Sequence, residues 1–314
     1  MYSKDRYTRN RRVVADQIEC YTNTSAQETT LLEFMQAMLK GVARTKLKSL
    51  LKYGHVRIPS TSADIRHDTP VPPGTVVEIN RTRPFVVFSH PRMKLVYEDD
   101  DILVVNKGYG LLSMGTASAT RDVTAYSILR DYVKHVNPLN KVFIIHRLDR
   151  DTSGLMMFAK TMQAKEAMQH NWNNMVLERK YVAVVEGVME EDSGVIRSYL
   201  DETSKFEVYS THEPGKGQLA ITRYKVIGRG NGYTLVEFSL DTGRKNQIRV
   251  HASDLGHPIV GDRKYGAAAS PINRLALHAR TLRFAHPITR RDSLFELPVP
   301  TRFSALLKGR LIKK

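Results

Sequence analysis

Two apolar runs, Val142–Ile145 and Met156–Ala159, frame the stretch His146-Arg147-Leu148-Asp149-Arg150-Asp151-Thr152-Ser153-Gly154-Leu155, which is mostly polar. β-prone runs on both sides of a polar segment read as a loop at the end of a buried strand, and no other stretch constrains the fold as much. Loops held by a rigid scaffold are where chemistry is usually presented. Asp149 lies between Arg147 and Arg150. Such neighbours are expected to keep its carboxylate ionised and oriented. The chemically idle reading is that Asp149, Thr152 and Ser153 merely cap the turn through bonds to backbone.

At 314 residues the chain has enough length for a sizeable core and is expected to divide in two. Its 48 Lys and Arg against 32 Asp and Glu leave a net charge of +16, which points to a polyanionic partner. No apolar run approaches the roughly 20 residues of a membrane span, so nucleic acid is preferred over a bilayer. Cys20 is the single cysteine, which excludes an internal disulfide and a cysteine-based zinc site. Met1–Arg12 is polar and lacks the apolar centre of a signal peptide, so a cytoplasmic location is expected; a monomer is the expected state.

Residues 1–28 read as a basic N-terminal arm. Thr29 or Thr30 caps a helix over 31–39 that ends near Gly41, and a second helix runs from about Thr45 to Tyr53 with Gly54 at its end. Leu47, Leu50 and Leu51 form its core stripe, while Arg44, Lys48 and Lys52 share another face beside Lys46. Six cations and no acid fall between Lys40 and Arg57. Solvation alone explains many basic faces, but one without interleaved acids suits phosphate. Strands at 55–58 and 75–79, with Pro72-Pro73-Gly74 as a turn, complete a small α+β domain over 29–80. Residues 81–92, with Pro84 and Pro91, read as a linker, and 93–314 as the second domain.

That domain opens with Leu95-Val96-Tyr97, an acidic turn at Glu98–Asp101 and the strand Ile102–Val105. Helices are expected over 121–135 and from a Thr161 cap to about Trp172, with strands at 180–187, 221–227, 233–240 and 275–285. A further helix is expected to start at Thr242-Gly243, with Arg244 and Lys245 at a phosphate-attracting N-terminus, and to stop at Gly256-His257-Pro258. Short sequential strands with irregularly placed helices predict an α+β fold on a mixed, largely antiparallel sheet.

The ten residues His146–Leu155 fit H-R-L-D-x-x-T-S-G-[LV], and 97–107 read Y-E-D-D-D-I-L-V-V-N-K. Residues 242–251 fit T-G-R-x-[HN]-Q-[IL]-R-V-H, residues 256–266 fit G-H-P-I-x-G-D-x-x-Y-G, and Leu275–Ala279 fit L-x-L-H-A. These segments resemble the RluA-type pseudouridine synthases, which isomerise uridine in RNA. Residues 30–80 resemble the RNA-binding module named after the fourth small-subunit ribosomal protein. The resemblance implies that Asp149 is the catalytic carboxylate, that Arg249 pairs with it, and that Tyr181 stacks on a flipped uracil. It further implies substrate contacts from Arg147, His146, Arg244 and Leu277, and RNA contacts from Arg44, Lys46, Lys48 and Lys52. The isomerisation implies no cofactor and no metal. His146, His251, His257 and His278 fit no metal-ligand spacing. Ribosomal RNA is the favoured substrate, with tRNA second. Two rival readings stand beside this one: a non-catalytic RNA-binding or ribosome-associated protein on the same fold, and a metal-dependent nuclease using the acids at 98–101 and 149–151.

Overall fold

The computed structural model describes residues 18–61, 65–82, 84–115, 122–204, 206–268 and 270–309, in two units divided between Val87 and Phe88. In the first unit, Thr30 accepts from the Glu33 N–H (3.4 Å) and the Glu33 carboxylate accepts from the Thr30 N–H (3.5 Å). This reciprocal cap, worth about 1 kcal/mol, starts helix α1 (Leu31–Met38), and α2 (Arg44–Lys52) follows. Their buried faces, Leu31, Leu32, Phe34 and Met35 with Leu47 and Leu50, share a core with Val56, Val71, Val77 and Ile79. Those valines and Ile79 sit on β3 (Val56–Arg57), β4 (Pro70–Val71) and β5 (Val76–Asn80).

The expected arm over 1–28 needs correction. Residues 1–17 lie outside the described residues, but β1 (Ile18–Thr22) is a full member of the sheet, pairing antiparallel with β5 from Ile18↔Asn80 to Thr22↔Val76. Next to it, buried Asn23 donates its amide to the Val71 carbonyl (2.7 Å), and a two-residue strand, β2 (Thr29–Thr30), pairs with β4. The linker expected at 81–92 begins folded as well: the Phe85 N–H donates to the Gly54 carbonyl (2.7 Å) and the Arg57 guanidinium covers the Phe85 ring.

The second unit is built on an eleven-stranded sheet. Its strands are β6 (Met93–Glu98), β7 (Ile102–Lys107), β8 (Phe143–Ile144), β9 (Ser153–Ala159), β10 (Val176–Glu186), β11 (Ser193–Glu202), β12 (Val208–Thr211), β13 (Gln218–Gly230), β14 (Tyr233–Leu240), β15 (Leu277–Ala285) and β16 (Asp292–Glu296). Their order is β12-β11-β13-β14-β10-β15-β9-β7-β6, with β16 also on β15 and β8 also on β9. All these pairings are antiparallel except β15 with β9, which is parallel through His278↔Ser153 and Ala279↔Gly154. The mixed, largely antiparallel α+β architecture is therefore the one the strand pattern predicts.

Strand alternation explains the unbroken apolar runs Ile102–Val105 of β7 and Leu155–Ala159 of β9. Leu103, Val105, Met156 and Phe158 pack with Leu129 and Val133 of α3 (Ala125–Val136). The intervening Ile102, Val104, Leu155 and Met157 pack with Ala164 and Met168 of α4 (Met162–His170). A strand covered on both faces shows no polar period. A short α5 (Trp172–Met175) then leads into β10.

Two local expectations shift. Ser153 and Gly154 lie inside β9 rather than in the loop, and Gly154 has φ +118 at a place where a Cβ would run into the Ala279 backbone, so only glycine fits there. The helix expected from Thr242 begins later, as α6 (Gln247–Asp254), after Asn246 in the left-handed region at φ +55. The Gln247 amide is the reason. Its oxygen accepts from the Thr242 hydroxyl (2.8 Å) and the Arg244 N–H (2.9 Å), and its nitrogen donates to the Ile221 carbonyl and Thr222 hydroxyl. Residues 242–246 thus wrap a buried side chain instead of forming a first turn. A last helix, α7 (Thr301–Leu307), packs Phe303 and Leu306 into the same core as β10 and β14.

Candidate active site

Asp149 sits in the loop between β8 and β9, and the chain is pinned on both sides of it. Before it, the Ser113 hydroxyl donates to the Leu148 carbonyl (2.6 Å) and accepts from the Leu148 N–H (3.1 Å). After it, Lys107 Nζ at the end of β7 donates to the carbonyls of Arg150 (3.1 Å), Leu111 (2.8 Å) and Gly108 (3.1 Å). Lys107 is fully buried, and burial brings its ammonium down to about 8. Sequence reasoning assigned it no part in the site. The signal was present as a lysine ending the apolar run Ile102–Val105.

The loop opens onto a solvent-open cleft. Asp149, Tyr181 from β10 and Arg249 from α6 all line it, with Arg147, Arg244 and Leu277. The fold therefore draws one wall each from a loop, a central strand and a helix. Arg244 is held by its Nε bond to the Leu219 carbonyl (3.0 Å), and Lys245 is drawn off to an ion pair with Glu202. The phosphate-binding helix start expected of this pair is absent, because neither residue is in the first turn of α6.

Arg249 stands at ion-pair distance from Asp149, as the resemblance implies, but its hydrogen bonds go to another carboxylate. Its Nε and Nη2 donate to both oxygens of Asp262 (2.6 and 2.7 Å), whereas Nη1 stands 3.9 Å from Asp149 Oδ2. The Asp149 carboxylate accepts no hydrogen bond from any described residue. Burial raises its pKa, and the opposing charges of Arg249, Arg147 and Lys107 do not cancel that rise. The nearby cations do favour the ionised carboxylate, as expected, but desolvation outweighs them and the net direction is upward. Burial also pushes the Tyr181 phenol up to about 12, against the pull of Arg179. A phenol at that value stays protonated at neutral pH and is poorly suited to accept a proton.

The profile of the RNA pseudouridylate synthase family matches residues 101–254 of this chain. An uncharacterized RNA pseudouridine synthase of Bacillus subtilis, YlyB, is 32% identical over 301 residues, covering 94% of this chain and 98% of that one. The chain belongs to the RNA pseudouridine synthases. The ribosomal large subunit pseudouridine synthase D of Haemophilus influenzae is 33% identical over 74% of this chain and 75% of its own. Among solved structures, the human RNA pseudouridylate synthase domain containing 4 superposes with a TM-score of 0.56 at 25% identity, over 69% of this chain and 92% of that one. This pseudouridine synthase is accordingly an isomerase that converts uridine to pseudouridine in RNA, and not a binding module alone.

The remaining sequence-derived residues of the pseudouridine synthase fall outside the cleft lining. His146, expected at the substrate, accepts the Met157 N–H at Nε2 (3.0 Å) and packs on the Trp172 ring. Burial, with Arg179 nearby, drops it to about 3, so it is a neutral acceptor that ties the loop to β9. His251 bonds Ser198 and Thr222, His257 the Glu186 carbonyl, and His278 the Ser153 hydroxyl. Asp99, Asp101 and His286 cluster closely enough to suggest a metal, but Asp99 is already committed. It accepts from the Asp101 and Ile102 N–H groups (2.8 Å each) and the Tyr97 hydroxyl (2.9 Å), and pairs with His286. Arg44, Lys46, Lys48 and Lys52 are exposed on α2 of the first unit.

Proposed function

We propose that Asp149 is the carboxylate that carries out the isomerisation, acting on a uridine extruded from structured RNA. The convergence of Asp149, Tyr181 and Arg249 on one cleft supports this reading. The reaction breaks N1–C1′, turns the uracil, joins C5 to C1′, gives up the C5 proton and takes one up at N1, so atoms balance without a cofactor. A base in a stack has to be flipped out before any side chain reaches C1′. Arg147, exposed at the cleft, is suited to occupy the vacated space or hold the flipped nucleotide's phosphate. Tyr181 offers an aromatic face for the base, and Leu277 an apolar wall. Asp149 acts either by attack at C1′ or by assisting glycosidic cleavage.

The favoured substrate is ribosomal RNA, in keeping with the H. influenzae relative named for the large ribosomal subunit. A monomer working in the cytoplasm fits this reading. The exposed basic face of α2 supplies a sequence-independent hold on phosphates. Mapping pseudouridines in RNA from cells with and without the gene tests the substrate, and loss of a modified site from tRNA alone would overturn the ribosomal assignment. Replacing Arg44, Lys48 and Lys52 together by Ala should flatten the salt dependence of RNA binding, each lost phosphate contact lowering the slope by about 0.7–0.9. An unchanged slope removes α2 from the RNA surface.

A further inference from the structure

The turn between β11 and β12 carries Phe206 in a posture that the fold alone does not require. Its φ is +61, in the left-handed region, where a bulky side chain is strained and glycine is at ease. It is the one aromatic residue in that region among the described residues, and at 71% exposure it is also the most exposed aromatic among them. A lone exposed apolar side chain is ordinary. One held on a strained backbone is not, because the turn gains no packing from it: Phe206 belongs to none of the buried clusters. The posture is nonetheless fixed. The Phe206 N–H donates to the Thr203 carbonyl (2.9 Å), and the Phe206 carbonyl accepts from Lys264 Nζ (3.1 Å). The Thr203 N–H closes the turn on the Glu207 carbonyl (2.8 Å).

These anchors tie the turn to the cleft. Lys245, whose ammonium stands 5.6 Å from the centre of the Phe206 ring, lies between Arg244 and Asn246, and both of those line the cleft. Lys264 precedes Tyr265, whose hydroxyl accepts from the Asn246 amide (2.9 Å). The ring therefore stands at the cleft's rim between two lysines, with Glu202 ion-paired to Lys245 and Glu207 exposed at the end of the turn. Backbone strain that survives at such a place is a mark of function. A flat apolar face, set before binding and flanked by cations, suits the face of an unpaired base, which every base offers whatever its sequence. We propose that Phe206 is a substrate-binding residue outside the cleft: its ring stacks on a base of the RNA near the flipped uridine. The inference rests on the reading of the cleft as the uridine site. Such a stack holds substrate and transition state alike, so it acts on KM and not on kcat.

The test compares Phe206→Leu, which keeps apolar bulk and removes the π-face, with Phe206→Tyr, which keeps the ring, both in the full chain. Turnover is followed by tritium release from uridine C5-labelled RNA taken from a strain lacking the gene. That RNA presents the unmodified uridine whichever molecule carries it. In Phe206→Leu, KM should rise about 5–100-fold, the range of one lost base–aromatic stack, with kcat within about twofold of the parent. Phe206→Tyr should stay within about twofold in both. The salt dependence of RNA binding should be the same in all three, since a stack releases no counterions. A parent-like KM in Phe206→Leu overturns the proposal, and so does an equal loss in Phe206→Tyr. A flattened salt slope overturns it too, by tracing the loss to the lysines and not to the ring. Phe206→Gly separates ring from fold: glycine relieves the backbone, so Tm should hold or rise while KM rises as in Phe206→Leu. A lowered Tm would make the ring part of the fold and end the proposal. Full turnover by Asp149→Asn would instead sink the reading of the cleft itself, a separate result.

Discussion

The strand pair β7–β9 carries carboxylates beyond both ends, and the molecule treats them in opposite ways. Register sets the distance: Ile102 pairs with Ala159 near Asp99, and Lys107 with Gly154 near Asp149, roughly 16 Å of strand apart. At the first end, burial works to raise Asp99, but bonds from Ile102, Asp101, Tyr97 and His286 more than reverse it and the pKa falls. At the second, burial prevails over the charges of Arg249, Arg147 and Lys107, and the pKa of Asp149 rises. Donors within about 3 Å settle one carboxylate as a strut, while Arg249 at 3.9 Å leaves the other without a hydrogen bond. The rival nuclease reading needs these acids together, and the strand pair keeps them apart.

The largest effect should come from Asp149→Asn, with turnover down about 10³-fold or more in the tritium-release assay. The same change should stabilise the fold. A carboxylate whose folded pKa is raised contributes stability below its unfolded pKa and loses it as pH rises, so ionised Asp149 is a cost at neutrality. Removing the charge should therefore raise Tm by about 2–4 °C, the equivalent of about 1 kcal/mol. A lower Tm would mean the cations dominate and would break the contrast. Asp99→Ala should do the reverse, leaving kcat within about twofold and costing about 2 kcal/mol in urea unfolding by orphaning backbone donors. A large loss of turnover would make the two ends alike. The acid limb of kcat/KM should have its midpoint above the ordinary aspartate value of about 3.9. A midpoint at or below it would show Asp149 to be as settled as Asp99. The smallest effect concerns Lys107, whose depressed pKa makes its stability contribution complete above the usual 10.5 and lost as pH falls through about 8. Stability followed from pH 8 to 10.5 should thus rise in the parent relative to Lys107→Met, and parallel curves would remove the buried charge from this end of the pair.

Much of this was legible where local chemistry and tertiary structure agree. The Thr30–Glu33 pair marks α1, unbroken apolar runs mark β7 and β9, and the residues framing Asp149 mark the cleft. What escaped depends on partners distant in the chain. β1 reads as an arm because its pairing partner, β5, lies more than 50 residues later. His146 stands beside Asp149 in sequence, yet its ring turns to Trp172. Arg249 was matched to the carboxylate that chemistry made conspicuous, whereas Asp262, thirteen residues on, holds it more tightly. Spacing shows which groups an active site contains, but not which of them has already been claimed by a neighbour.

The parallel contact of β9 with β15 is two residue pairs wide, closed by Gly154 on Ala279 and by the Ser153 hydroxyl between His278 and Arg274. Asp149 hangs from one side of that seam, Tyr181 and Arg249 from the other. Opening there separates the reacting groups while the long antiparallel ladders remain intact, and such local openings cost less than global unfolding. On gradual warming, turnover should fade ahead of the circular dichroism signal, so the catalyst's heat tolerance is that of its narrowest joint.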